Sequence, residues 1–150
     1  MLFEVSTLDL LTFMFNQKGG TFMSYDRKFL VFALGYIVLG MCLGIFMAAS
    51  HDHGEHPTHA HINLIGFVLS LSYGIIHKLW LVNANQTIAK TQFILHHAGA
   101  ITIFIGLFLL YGNMVPEAKL DPILAVGSIT VLLSAILMFY MVLKTRAVKA

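Results

Sequence analysis

The stretch HDHGEHPTHAHINLIGFVLSLSYGIIHKLW, residues 51–80, decides how this chain is read. It holds six of the eight histidines and runs from a polar, histidine-dense loop straight into an apolar segment. An ionisable side chain inside a bilayer is costly enough to mark a functional-site hypothesis by default. Two questions follow: whether the stretch crosses a membrane, and what its histidines hold.

The rest of the chain answers the first question. Of 150 residues, 58% are hydrophobic and 11% charged, and the mean hydropathy is +0.83. That leaves too little polar surface to coat a soluble globule and predicts an integral membrane protein. Spans are predicted at about 29–50, 57–81, 91–112 and 122–143, each close to the roughly 20 apolar residues a crossing needs. Pro57 suits the first turn of the second helix, and Asp121-Pro122 reads as an N-cap and first-turn proline opening the fourth. Residues 1–28 include LDLLTFMF (8–15), too short to cross, and predict an interfacial helix or disordered tail without the features of a signal peptide. Met23 is a second candidate start. The expected fold is all-α: an integral membrane four-helix bundle over residues 29–150, its neighbouring helices antiparallel because the connections are short.

Orientation follows from the basic residues. With both termini cytoplasmic, Lys18, Arg27, Lys28, Lys78, Lys90, Lys144, Arg146 and Lys149 lie inside and only Lys119 outside, as the positive-inside rule requires. The loop carrying His51, His53 and His56 then faces the periplasm or exterior, and His77, His96 and His97 sit towards the cytoplasmic leaflet. A net charge of +2 placed in this way points to a lipid bilayer and away from nucleic acid. Cys42, the only cysteine, reads as a small buried packing residue.

At about 100° per residue, His59, Asn63, Gly66, Ser70, Tyr73, Gly74 and His77 fall on one face of the second helix. Small residues recur there (Gly66, Ser70, Gly74) and on the first span (Gly40, Gly44), marking helix contact surfaces or a face on which a flat cofactor rests. His61 is turned about 200° from His59, so the two rings of HAH point to nearly opposite sides and suit two separate sites. Antiparallel packing brings His77 to the depth of His96 and His97. Two imidazoles opposed across a flat gap suit the axial positions of a six-coordinate b-type heme, and Gly99 and Ala100 favour His96 as the partner. The outer loop offers His51, Asp52, His53, Glu55, His56 and His59, a donor set that suits copper or zinc. No nucleophile elbow, phosphate loop or paired CxxC accompanies them.

The run HAHINLIGF resembles the HxH-x4-G pattern on a transmembrane helix in the large subunits of bacterial nitric-oxide reductases and C-type heme-copper oxidases. More widely, GMCLGIFMAASHD through HPTHAHINLIGFVLSLSYG resembles short four-span bacterial proteins described as heme-copper oxidase subunit I-like, or cytochrome-c oxidase-like. The positions that carry over are His51, His59, His61, Asn63, Gly66 and His96. The resemblance implies heme on both sides of the HxH helix, iron-based electron transport or oxygen and nitric-oxide chemistry, and a heme-dependent oxidoreductase or its relative. A full catalytic subunit has twelve spans in three four-helix arcs, and this chain is one arc long. A homotrimer would be the analogue of the three arcs.

The leading expectation is thus a bacterial inner-membrane b-type heme protein, homo-oligomeric and served by a respiratory electron donor. His61 is the first ligand, then His59 and His96, with His77 in addition and Asn63 beside them. Two alternatives stand: a copper- or zinc-binding transport or sensing protein using the outer loop and a polar path along His59, Asn63, Ser70, Tyr73 and His77, and a non-catalytic subunit or assembly factor.

Overall fold

A computed structural model describes residues 23–81 and 84–145. Four helices account for nearly all of them: α1 (Tyr25–Ser50), α2 (His56–Leu79), α3 (Gln86–Tyr111) and α4 (Glu117–Lys144). All four are long and apolar enough to cross a bilayer, and the chain is a multi-pass membrane protein. Helices satisfy their own backbone polar groups, which is why they can stand in hydrocarbon.

Helix ends differ from the hydropathy limits in one consistent way. α1, α3 and α4 begin four or five residues ahead of their apolar windows, because first turns carry polar groups that stay in the interface. Asn85 caps α3 by accepting from the Thr87 and Ile88 amides at 2.9 and 3.3 Å. Asp121-Pro122 does not open α4. The helix starts at Glu117, and Pro122 lies inside it, in its second turn, where the missing N–H costs one bond near the polar end of the helix. The expected segment 1–28 lies outside the described residues over 1–22, and α1 takes up its last four residues. Cys42 is exposed, on an outward face rather than in the core.

The helices pair as two hairpins. α1 runs along α2, α3 along α4, and the outer half of α2 joins the pairs by packing on α3, whereas α4 makes extensive contact with α3 alone. The α3–α4 seam is a heptad pattern. Leu120, Gly127, Ser134 and Met141 recur every seven residues, Met138 is set between them, and these are the buried residues of α4. Small residues let the backbones close, as in other membrane helix pairs. A Cβ on Gly99 would stand 2.9 Å from the Gly127 carbonyl oxygen.

The α1–α2 seam uses the predicted small-residue stripes as contact surfaces. Gly40 receives Asn63, Gly44 receives the His59 ring, Gly66 receives the Tyr36 and Phe104 rings, and Gly74 lies against the Asp26 carbonyl and Phe29. Protein therefore fills these faces, and a flat cofactor has no room on them. α2 is also irregular: Ile62–Leu69 is π-helical, with i→i+5 bonds and less rotation per residue than an α-helix. The buried stripe consequently runs through Thr58, Ile62, Gly66, Ser70, Tyr73, Gly74 and His77. Its lower part is the predicted face, while its upper part passes beside His59 and Asn63, which turn towards α1.

Gly99→Ala pushes a methyl group into backbone and should destabilise the α3–α4 pair by about 1–3 kcal/mol. Gly35→Ala, with nothing within 4 Å of the added atom, should be neutral or slightly stabilising. Reversible unfolding in mixed micelles measures both.

Candidate functional site

Two groups of histidines occupy the two halves of the bundle. In the outer half, the His59 Nδ1 lies 2.9 Å from the Gly40 carbonyl oxygen. A carbonyl only accepts, so Nδ1 carries the proton and Nε2 the lone pair. That lone pair faces the Asn63 amide nitrogen at 3.2 Å, and the same amide donates to the His59 carbonyl at 2.9 Å. His59 is thus satisfied at both nitrogens and, with Asn63, latches α2 to α1.

His61 differs. Its Nδ1–H donates to the Pro57 carbonyl one turn back at 2.8 Å, which again leaves the lone pair on Nε2. Among the described residues no protein group meets that nitrogen. The ring is half-buried, a turn from Leu64, which is 62% exposed. His59 and His61 share no partner, in keeping with their separation around the helix. Of the HxH-x4-G residues, His61 alone presents an open ligand atom, since Gly66 is consumed by packing.

The loop above is ordered by its own turns. His51 ends α1 with φ 55°, and the Asp52 Oδ1 accepts from the Gly54 amide at 2.9 Å. Glu55 turns inward, buried, and accepts from the Thr58 hydroxyl at 2.6 Å, so it is withdrawn from the histidines. His51, His53 and His56 are exposed, and the His56 and His59 ring centroids are 6.3 Å apart. Among the described residues no three histidine, cysteine or acidic side chains gather closely enough to hold a metal ion. His51, Asp52, His53, His56 and His59 are not drawn into one coordination sphere.

The inner half holds His77, His96 and His97, all buried. They are at similar depth, as antiparallel packing requires, but no flat gap separates His77 from His96. The wholly buried Phe29 ring lies 5.5 Å from His77, stacked on it, and 5.8 Å from His96. The His77 Nε2 points to the Gln92 Oε1 at 3.4 Å. His96 Nε2 meets the Ser70 hydroxyl at 2.8 Å. A porphyrin between these two rings does not fit this arrangement.

Three side chains that the sequence reading did not single out complete this core. Tyr36 bonds His97 Nδ1 at 3.0 Å. Gln92 donates to Ser134 at 3.2 Å, and Ser134 returns a bond to the Gln92 carbonyl at 3.1 Å. Gln92 is legible in retrospect as a polar residue one helical turn before His96, and Ser134 as a small residue in the α4 heptad. Two buried nitrogens, His96 Nδ1 and His97 Nε2, have no partner among the described residues.

No family model, no curated protein and no solved structure matches this chain.

Gln92→Leu strands the His77 donor and removes the amide that donates to Ser134, whose own bond to the residue 92 carbonyl remains, and should cost about 1–3 kcal/mol of stability. Thr91→Val, which removes an exposed hydroxyl bonded only to its own helix, should stay within about 0.5 kcal/mol. The same micelle unfolding measurement separates them.

Proposed function

We propose that this chain is a bacterial inner-membrane b-type heme protein in which His61 would hold the heme iron, assembled from several copies and acting in electron transfer or in binding a diatomic gas. The observation that carries the reading is the His61 ring itself: Nδ1–H tied to the Pro57 carbonyl, Nε2 left with an open lone pair at a half-buried position. Ligating histidines characteristically have their other ring nitrogen held in this way, which fixes the tautomer and raises ligand basicity. Heme iron takes one or two side-chain ligands, so a single open imidazole meets a need that a three-ligand zinc or copper site would not. When bound, the heme supplies one-electron chemistry at its iron.

The chain's own residues do the positioning. The His59–Asn63 latch sets the rotation of α2 and directs His61 away from α1. The charge bias of the loops supports a periplasmic position for this end of the bundle and cytoplasmic termini. A second copy, a respiratory partner or a gas would supply whatever further ligand the iron takes. By analogy with three four-helix arcs, the assembly is a homotrimer.

A second reading, copper or zinc transport, draws on a cavity of about 250 Å³ that reaches His77 between Tyr25, Asp26 and Gln86. It requires metal flux in vesicles that is lost on His77→Ala.

For the heme reading, wild type purified from heme-replete cells should show a sharp α-band on dithionite reduction and a stoichiometric pyridine hemochrome. His61→Ala should lose both. His59→Ala should keep its heme while losing about 1–3 kcal/mol of stability, because it removes the ring's bonds to the Gly40 carbonyl and the Asn63 amide across the α1–α2 seam. A colourless wild type, or heme lost with His59 and retained without His61, sinks the proposal.

A further inference from the structure

The first turns of α1 and the last turns of α2 leave an open groove of about 500 Å³ between them. Its walls are the side chains of Leu30, Leu71 and Ile75, and its floor is Gly74, where the missing side chain lets α2 close to within contact of the Asp26 and Leu30 backbone. Leu30 and Ile75 are 42% and 47% exposed. The groove is therefore apolar along its length, and among the described residues no side chain is seated in it.

Its mouth has the opposite character. Arg27 and Lys78 stand there together with Ser24, two cations at the end of the bundle where basic residues concentrate. Among the described residues a single acid faces them: the Asp26 carboxylate, 3.8 Å from the Lys78 ammonium. Arg27 has no acidic partner among the described residues. The mouth thus keeps one unit of uncompensated positive charge above an apolar channel open to the bilayer.

We infer that this groove binds an anionic glycerophospholipid, with its phosphate on Arg27 and Lys78 and an acyl chain along Leu30, Leu71 and Ile75. Basic pockets between helices on the cytoplasmic side suit anionic headgroups, and each lysine or arginine near the surface adds to the attraction. An apolar wall without the cations would take any lipid. Cations without the wall would hold a phosphate loosely, as solvated surface charges do. The combination selects a lipid that carries both a net negative headgroup and a chain, and it stands independently of whether the protein holds heme.

The test is native mass spectrometry of the full chain released from micelles containing equal amounts of phosphatidylglycerol and phosphatidylcholine with matched acyl chains. Wild type should retain one phosphatidylglycerol per chain with about a tenfold preference. Arg27→Gln/Lys78→Gln should bring the preference close to one, while Lys28→Gln/Lys90→Gln, which removes two cations of the same end outside the groove, should leave it in place. Ile75→Trp, which fills the channel from an exposed position and keeps the charges, should also lose the lipid. Excess inorganic phosphate should not displace it. Equal retention of the two lipids by wild type, an equal loss in both charge variants, persistence in Ile75→Trp, or displacement by phosphate would each overturn the assignment.

Discussion

The hydrogen bond from His59 to the Gly40 carbonyl fixes more of this molecule than any other single contact. A backbone carbonyl inside a helix is normally spent on the amide four residues on, and a side chain reaches it only where the neighbouring helix comes very close. Gly40 and Gly44 provide that closeness, and Asn63 then fills the space a side chain at Gly40 would need. In hydrocarbon, small residues allow the approach and a polar pair secures it. Once His59 is fixed, the rotation of α2 is fixed, and His61 must face away from α1. The latch and the open imidazole are two consequences of one alternation in HAH.

The π-helical section below it belongs to the same logic. An α-helix would carry the face of His59 and Asn63 straight down to Ser70. The slower rotation of Ile62–Leu69 lets Asn63 address α1 while Ser70, seven residues on, addresses His96 on α3. α2 thereby serves two neighbours with one run of residues. This is why the predicted polar face proved right from Gly66 down and drifted above it: the arithmetic assumed 100° per residue, and hydrogen-bond register is not visible in hydropathy.

Much else was legible. Long uncharged runs located all four helices, and short connections made neighbours antiparallel. The glycine stripes marked the α1–α2 seam. The α4 heptad was present in the sequence but masked by a helix that is apolar nearly all round, so that only Gly127 and Ser134 distinguish the buried side. The inner core was half legible. Histidine depth followed from helix geometry, but Phe29 looks like any other residue of an apolar span, and nothing in its identity announces that it fills the space between His77 and His96. Rotamers and cross-helix partners, here Tyr36 with His97 and Gln92 with Ser134, are decided by packing that no single helix records.

The two histidine groups differ in what they leave unfinished. In the inner core, partners surround the rings and the two unpartnered nitrogens, on His96 and His97, are sealed by Phe29, Phe93 and the rings themselves. A ligand there would have to displace packed aromatics, which membrane helices hold by dispersion and close fit. At His61 nothing need be displaced: the ring is already oriented and the lone pair is on the free nitrogen. The architecture is open at the same level of organisation. Among the described residues α4 makes extensive contact with α3 alone, and α1 and α4 keep most of their apolar surface outside. Acyl chains can cover such surface, but hydrocarbon offers an imidazole lone pair no partner. If the ring at His61 has a function, it is completed by something that arrives from outside this chain. The heme reading rests on that requirement, and several copies around a shared axis would meet it without any change in the fold of one.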